Sequence, residues 1–182
     1  MKYIIASDIH GDAVCCRALL DAAQNEGADK ILLLGDILYH GPRNDLPDGY
    51  APKQVIELLN ANAHKIVCVR GNCDAEVDQM VLSFPIMADL ESIYDEQSDK
   101  TLVLSHGHVY SPDNLPTVNG DFIFFSGHTH VLDASVHGGT LCVNPGSISL
   151  PKQENPKSYA TYEGGNIQIK ELDGKVILSK NA

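Results

Sequence analysis

Seven histidine, aspartate and asparagine residues lie along the chain in short motifs that suit metal chemistry. All seven side chains offer nitrogen or oxygen ligands, and none offers a thiolate. The seven are Asp8, His10, Asp36, Asn72, His106, His128 and His130. Seven ligands are too many for one tetrahedral zinc ion. The set predicts two adjacent divalent ions that share a bridging carboxylate and keep open positions for water and a bound ligand.

These motifs are expected to meet because each one follows a short apolar run of the kind that forms a buried strand. The runs are residues 3–6, 31–34, 66–69, 102–104 and 122–125. In open α/β sheets, binding sites form in the crevice beyond the carboxyl ends of the strands. The seven ligands converge in that crevice if the five strands are neighbours.

The first half of the chain shows helical spacing between its strands. Apolar residues recur at helical intervals in residues 12–26, and Gly27 is a plausible stop. Residues 52–61 form a second helix, with Pro52 in its first turn. The resulting β-α-β-α-β order predicts a parallel sheet with helices on its faces.

The second half has shorter strands and turn signals. Gly138-Gly139 and Gly164-Gly165 each lie between strand-like residues and predict hairpin turns. This half is therefore expected to be mostly antiparallel. There is no repeat, low-complexity segment or linker, so residues 1–182 are predicted to form one domain.

Composition excludes some classes of partner. A formal net charge of −11 disfavours tight binding of DNA or RNA, but not of a small phosphate ester at a local cationic centre. No apolar run approaches the roughly 20 residues that span a bilayer, so no membrane association is expected. The five cysteines do not form a disulfide framework and suit a reducing compartment, which predicts a cytoplasmic protein.

The ligand types also narrow the choice of metal. Imidazole, carboxylate and amide ligands together fit Mn, Fe or Zn better than Ca or Mg. Two divalent ions with two carboxylates leave a charge of about +2, and a bridging hydroxide lowers it to about +1. Such a centre can attract a phosphodiester monoanion. Taken singly, each motif has a simpler explanation, since an Asp after a strand is usually a cap.

The chain resembles the calcineurin-like metallophosphoesterases, because five motifs match the successive signature blocks of that family. The blocks are Asp8-Ile9-His10-Gly11, Gly35-Asp36, Gly71-Asn72-Cys73-Asp74, His106-Gly107-His108 and Gly127-His128-Thr129-His130. A closer similarity, to the bacterial YfcE-type phosphodiesterases, includes residues 40–47, 69–74 and 144–147 and covers nearly the whole chain.

The resemblance implies an α/β fold, a four-layer αββα sandwich of two stacked mixed β-sheets flanked by helices. It also implies that Asp8, His10, Asp36 and His130 hold one metal, while Asp36, Asn72, His106 and His128 hold the other. The expected activity is that of a hydrolase, a metal-dependent phosphodiesterase in which a hydroxide between the two ions attacks phosphorus in line. Manganese is the expected metal, with iron, zinc or nickel as alternatives. Relatives often associate, so a homo-oligomer, a dimer or tetramer, is also expected.

The candidate catalytic residues are Asn72, Cys73, His106 and His128. Cys73 departs from many relatives, in which a His at this position contacts the phosphate or protonates the leaving group. A thiol is a weak hydrogen-bond donor, so the departure predicts weak protonation of the leaving group. The alternative is that Cys73 has no part in catalysis and is a small residue that fills a turn beside the site.

Several nearby residues are candidates for supporting roles. Asp74 is a candidate to orient a neighbour, and Arg70 to pair with a carboxylate. Arg43 is either a ligand for a substrate phosphate or a solvated loop cation, and His40 in the same loop shares that ambiguity. His108 is a candidate to line the mouth of the site.

Two other functions compete with a phosphodiesterase. A phosphomonoesterase or protein phosphatase would use the same metals, although protein phosphatases of this superfamily usually have a longer chain and added arginines. A binding scaffold is the second alternative, because a retromer subunit has a similar small fold with degraded motifs. Here all seven ligand positions are filled, which favours metal binding.

Overall fold

The computed structural model describes residues 1–182, which form two stacked β-sheets and three α-helices. In chain order the elements are β1 (Lys2–Ala6), α1 (Ala13–Asn25), β2 (Lys30–Leu33), α2 (Pro52–Ala61), a 3₁₀ turn (Ala63–Lys65), β3 (Ile66–Cys68), α3 (Glu76–Gln79), β4 (Glu91–Asp95), β5 (Lys100–Leu104), β6 (Phe122–Phe125), β7 (Leu132–His137), β8 (Thr140–Pro145), β9 (Ser158–Glu163), β10 (Asn166–Glu171) and β11 (Val176–Asn181).

The first sheet has six strands in the order β11-β10-β9-β1-β2-β3. Strands β1, β2 and β3 are parallel, as the β-α-β-α-β pattern predicts. Strands β9, β10 and β11 extend the sheet antiparallel from the other side of β1. The predicted hairpin at Gly164-Gly165 joins β9 to β10. Strand β11 has no counterpart among the sequence predictions.

The second sheet has five strands in the order β4-β5-β6-β8-β7. Strands β5, β6 and β8 are parallel, and β4 and β7 pair antiparallel at the two edges. The predicted hairpin at Gly138-Gly139 joins β7 to β8. Most strand pairs formed by the second half of the chain are antiparallel, as expected.

Residues of β1 alternate between two hydrophobic cores. Ile4 packs on the side of α1 and α2, whereas Tyr3 and Ile5 pack in the space between the two sheets. This alternation follows from the two-residue period of a strand. Ile4 and Ile5 are both fully buried, and each such side chain contributes about 1.5–3 kcal/mol to folding.

The outer face of the second sheet is covered differently from that of the first. Val103, Phe124 and Cys142 pack there against side chains of an irregular segment that includes Tyr110 and Leu115. Helices α1 and α2 cover the first sheet. The α/β class and the two stacked mixed sheets are confirmed, and the fourth layer of the αββα sandwich consists of this segment rather than a long helix.

Helix α1 begins and ends where its local sequence directs. The side chain of Asp12 accepts a hydrogen bond from the backbone N–H of Cys15 at 2.9 Å and caps the N-terminus. Gly27, at φ 64°, follows the C-terminus and adopts the left-handed conformation that glycine tolerates best. Residues 7–12 connect the carboxyl end of β1 to the capped N-terminus of α1.

The five predicted strands divide between the two sheets, three in the first and two in the second. The condition that all five be neighbours in one sheet is therefore not met. Because the sheets stack on a shared core, the ends of β1, β2, β3, β5 and β6 still meet at one edge. None of the helices is long and apolar enough to cross a bilayer.

Candidate metal centre

The backbone is unusual at the residues that follow these strand ends. Eight non-glycine residues have a positive φ, and five of them are predicted metal ligands: Asp8, His10, Asp36, His128 and His130. A positive φ is uncommon outside glycine and costs energy that the surrounding structure must offset. Its concentration here indicates that the backbone is bent in order to point these side chains inward.

The first cluster joins Asp8, His10 and His130. The Nε2 atom of His130 lies 3.2 Å from Asp8 Oδ1 and 3.3 Å from His10 Nε2. The distance from His10 Nε2 to Asp8 Oδ1 is 3.5 Å. All three residues are buried, so their ligand atoms face one another away from bulk water.

The second cluster is centred on His106, which is fully buried. Its Nε2 atom lies 3.1 Å from Asn72 Oδ1 and 3.3 Å from His128 Nδ1. Asp36 Oδ2 is 3.4 Å from the same nitrogen. The four side chains are those that the family resemblance assigns to the second metal.

Asp36 lies between the two clusters. Its Oδ2 atom is 3.7 Å from His10 Nε2 and 3.4 Å from His106 Nε2. Its Oδ1 atom accepts a hydrogen bond from the backbone N–H of Cys73 at 2.8 Å. One carboxylate oxygen is thus held by the backbone while the other faces both clusters, as a bridging ligand requires.

Asp74 supports Asp36 through the backbone. Its carboxylate accepts hydrogen bonds from the backbone N–H groups of Asp36 and Ile37, both at 2.8 Å, and of Gly71 at 2.7 Å. Burial raises the pKa of this carboxyl, and the backbone N–H groups oppose that change. Asp74 therefore positions Asp36, as predicted, because it holds the turn after β2 and the turn after β3 together.

Backbone carbonyls orient three of the four histidines that are predicted ligands. The Nδ1 atom of His10 lies 2.8 Å from Tyr39 O, that of His106 2.7 Å from Leu34 O, and that of His130 2.5 Å from Leu150 O. An imidazole that donates Nδ1–H to a carbonyl keeps the Nε2 lone pair free. These bonds direct three Nε2 lone pairs into the site.

The site attracts positive charge. Burial by itself lowers the pKa of His106, but its hydrogen bond to Asp36 and the charge of Asp8 outweigh burial and raise the pKa to about 9. The proton that this imidazole then carries on Nε2 is one that a metal ion would replace on binding. Burial alone would raise the pKa of Asp8, yet interactions with His10 and His130 hold it well below its usual range. The carboxylates therefore stay ionised and favour a cation beside them.

One orphaned atom tests whether a metal ion fits. Asp8 Oδ1 is buried and accepts no hydrogen bond of good geometry, although the Nε2 atoms of His10 and His130 lie close to it. Such an atom costs free energy unless something satisfies it. A divalent ion coordinated by these lone pairs would satisfy all three, so the donor set fits a metal.

Cys73 lies at the edge of this donor set. Its thiol and the ligand atoms of His10 and Asp36 lie within 4.8 Å of one another. The thiol is 3.2 Å from Asn72 Nδ2, which donates to it. Burial raises the pKa of this thiol to about 12, and the charge of Asp36 adds to the increase. Cys73 therefore keeps its proton at neutral pH.

An open pocket of about 360 Å³ gives access to the clusters. Arg43 lines it, as the phosphate-ligand alternative for this residue requires, whereas His40 and His108 are not among its lining residues. Lys152 also lines it and was missed by sequence reasoning, because no motif or spacing singles it out. Arg70 pairs with Asp89 at 3.0 Å, as expected.

Comparison with protein families decides the classification. Residues 1–166 match the model of the calcineurin-like phosphoesterase superfamily domain. The chain belongs to this superfamily. The calcineurin-like phosphoesterases use divalent metals, which agrees with the donor set described above. The family resemblance based on the five motifs is confirmed.

Individual phosphoesterases are also similar to this chain. Phosphodiesterase YfcE of Escherichia coli strain K12 is 44% identical over 182 residues, which cover 100% of this chain and 98% of that protein. The solved structure of the E. coli phosphoesterase Yfce matches with a TM-score of 0.95, covering 100% of this chain and 99% of that one.

The fold also occurs in a sorting protein. Vps29 of Entamoeba histolytica, solved in complex with Zn²⁺, matches with a TM-score of 0.57 at 18% identity and covers 100% of this chain and 98% of that one. At this level of identity the likeness concerns the fold alone, and it carries no information about function.

Proposed function

We propose that this phosphoesterase hydrolyses small phosphodiesters with two divalent metal ions held by the seven predicted ligands. The observation that carries the proposal is the position of Asp36 Oδ2, 3.7 Å from His10 Nε2 and 3.4 Å from His106 Nε2. A single carboxylate oxygen that faces two ligand clusters is the arrangement of a bridged pair of ions.

Asp8, His10, Asp36 and His130 would hold one ion in this proposal, and Asp36, Asn72, His106 and His128 the other. Manganese is the proposed metal, with iron, zinc or nickel as alternatives, because imidazole and carboxylate ligands suit all of them. When bound, the two ions would supply a hydroxide nucleophile at neutral pH and stabilise charge on the phosphoryl oxygens.

The chain's own residues prepare the site for this chemistry. The carbonyls of Tyr39, Leu34 and Leu150 fix three imidazoles, so little reorganisation is needed when a substrate arrives. Asn72 and His128 face the pocket and are the proposed contacts to the substrate phosphate. Cys73 offers only a weak S–H donor to the leaving group.

A diester is favoured over a monoester for two reasons. The 44% identity to a protein named phosphodiesterase covers the whole chain. In addition, a centre of charge about +1, with its hydroxide, matches the single negative charge of a diester. A phosphomonoester would bring about −1.5 to −2 at neutral pH.

The decisive experiment is hydrolysis of bis-p-nitrophenyl phosphate by metal-stripped protein, with and without added manganese. We expect activity only with manganese, and its loss in Asp36→Asn. The matched control is Asp121→Asn, because Asp121 is 87% exposed and precedes β6 at the strand end away from the site. p-Nitrophenyl phosphate in parallel assays tests the monoesterase alternative.

The result also separates an enzyme from a scaffold. Bound metal without turnover in the presence of manganese, nickel, iron or zinc would overturn the proposed activity and support a protein-binding role. Activity that survives Asp36→Asn would contradict the proposed bridging carboxylate.

Three further predictions belong to this proposal. Residues 1–182 form one domain, which is supported by the core that the two sheets share. The five free cysteines support a reducing, cytoplasmic setting. A dimer or tetramer stays a prediction, which light scattering would test.

A further inference from the structure

We propose that Arg43 and Lys152 bind a second phosphate group of the substrate, so that the preferred diesters carry another phosphate on one ester arm. This inference rests on the proposed function, because it concerns the same pocket. It names the class of substrate, which neither the fold nor the seven ligands determine.

The two cations reach the pocket on loops that also build the metal centre. One loop supplies the carbonyl of Tyr39 to His10 and carries Arg43 four residues later. The other supplies the carbonyl of Leu150 to His130 and carries Lys152 two residues later. The backbone N–H of Lys152 also donates to His130 O at 3.0 Å. Each cation therefore follows, within four residues, a backbone carbonyl that is hydrogen-bonded to a predicted ligand.

Neither side chain has a partner within the protein. Six of the thirteen lysines and arginines pair with carboxylates, whereas Arg43 and Lys152 form no ion pair and no side-chain hydrogen bond. Both are exposed. Asp36 is the only acidic residue that lines the pocket, although the chain carries 24 acidic residues. The two cations are thus available to a ligand.

The charge of the site exceeds what a simple diester can neutralise. The metal centre with its hydroxide has a charge of about +1, which one diester monoanion balances. Arg43 and Lys152 add two positive charges. A second phosphate, with a charge of about −1.5 to −2, would balance them, and an arginine can bind phosphate through two parallel hydrogen bonds.

An adjacent cavity shows which way the anionic arm points. It shares Thr129 with the metal pocket, contains Asp113, Asp133 and His137, and has no lysine or arginine in its lining. A second phosphate placed there would face two carboxylates. The phosphorylated arm therefore extends toward Arg43 and Lys152, and a neutral arm extends toward Asp133.

Binding calorimetry on the manganese-loaded protein tests the proposal without relying on turnover. The probes are the monophosphates and bisphosphates of ethanediol, butanediol and hexanediol, so that flexible linkers of several lengths are sampled. We expect at least one bisphosphate to bind about ten times more tightly than its monophosphate. Arg43→Gln and Lys152→Gln should each reduce that ratio by about 2- to 5-fold, the range for exposed ion pairs.

Lys53→Gln is the matched control, because Lys53 is an exposed residue of α2 outside the pocket, and its ratio should equal that of the wild type. The ratio should also fall as salt rises from about 0.05 to about 0.5 M. A ratio no higher than about two at every length, the value expected from two equivalent ends, would overturn the proposal. An equal reduction of this ratio in Lys53→Gln would also overturn the proposal. Failure of the hydrolysis assay leaves these binding ratios measurable, so the two proposals can fail separately.

Discussion

Cys73 contacts Asp36 through its backbone, and its side chain has a separate place in the site. The backbone N–H of Cys73 holds one oxygen of Asp36 and leaves the other facing both ligand clusters. The thiol of Cys73, with a pKa of about 12, keeps its proton at neutral pH. Cys73 therefore positions a carboxylate through its backbone, while its side chain is a poor proton donor.

Replacing Cys73 with histidine should change the dependence on the leaving group. General acid catalysis is typically worth about 10²–10⁴-fold, so Cys73→His should accelerate hydrolysis of alkyl diesters about 100-fold and aryl diesters much less. The measurement is kcat/KM for a series of diesters against the pKa of the leaving group. Cys73→Ser is the control and should keep the steep dependence of the wild type. A flat dependence in the wild type would contradict weak protonation by Cys73.

At the scale of elements, two glycines allow the turns after β2 and β3 to approach each other. Gly35, at φ 92°, has no room for a Cβ because the backbone of Gly71 occupies that space. A Cβ at Gly71 would overlap both Asp36 Oδ1 and the backbone N of Asp36. This contact sets the position of Asp36, the proposed bridging carboxylate.

Gly71→Ala should therefore weaken metal binding as well as stability. We expect the Kd for manganese to rise at least about tenfold, and the free energy of unfolding to fall by about 1–3 kcal/mol through overpacking. Calorimetric titration and urea denaturation measure the two quantities. Gly120→Ala, at φ 83° in open space, should lose about 1–2 kcal/mol from its left-handed backbone but bind manganese normally. Unchanged manganese affinity in Gly71→Ala would argue against this role.

A second contact between elements ties the end of α1 to two strands of the first sheet, β1 and β10. Glu26 follows the last residue of α1. Its carboxylate forms ion pairs with Lys2 of β1 at 2.8 Å and with Lys170 of β10 at 2.6 Å. Its side chain is 15% exposed, so solvent screens these pairs only partly. Burial by itself raises the pKa of Glu26, but the two lysines outweigh burial and lower it.

Glu26→Gln should destabilise the protein at pH 7 by about 1–3 kcal/mol, since each pair is a hydrogen bond between charged groups. Because the folded pKa is lowered, this stabilisation is present above the unfolded pKa of about 4.3 and is lost as pH falls through the folded pKa. Urea denaturation at several pH values should show the difference between wild type and variant shrinking below about pH 4. Glu171→Gln, whose partner Lys175 is 71% exposed, should cost at most about 0.5 kcal/mol. A difference that grows in acid would refute the assigned role.

At the scale of the whole molecule, folding and metal binding depend on each other. The seven predicted ligands come from five strand ends in two sheets, so they are close together only in the folded chain. Any ion that binds the folded state alone stabilises it by mass action. Metal removal should therefore lower the stability of the folded chain.

Adding manganese at about 100 times its Kd should contribute about 2.7 kcal/mol. For a domain of this size, that corresponds to a rise of about 5–10 °C in Tm. Differential scanning calorimetry should show the rise, its reversal by EDTA, and a much smaller rise in Asp36→Asn. A Tm that does not respond to manganese, nickel, iron or zinc would contradict metal binding by the folded state.

The sequence by itself determined most of the local elements, although not α3, β4 or β11, and it supplied the set of predicted ligands. The apolar runs before Asp8 and Asp36 correspond to β1 and β2, and the helical spacing of residues 12–26 corresponds to α1. Double glycines marked two of the four hairpins, β7–β8 and β9–β10. These features are readable because strand and helix periods, caps and tight turns depend on residues close in sequence. The seven predicted ligands could be named because their motifs follow the strands.

Only the tertiary structure decided how distant segments meet. It divided the five strands between two sheets, covered the second sheet with an irregular segment, and brought Arg43 and Lys152 to one pocket. It also supplied the carbonyls of Tyr39 and Leu150 to His10 and His130. Strand order and loop paths depend on packing between residues far apart in sequence, and backbone carbonyls are present at every residue. No local pattern of residue types can therefore indicate which of them will lie beside a histidine.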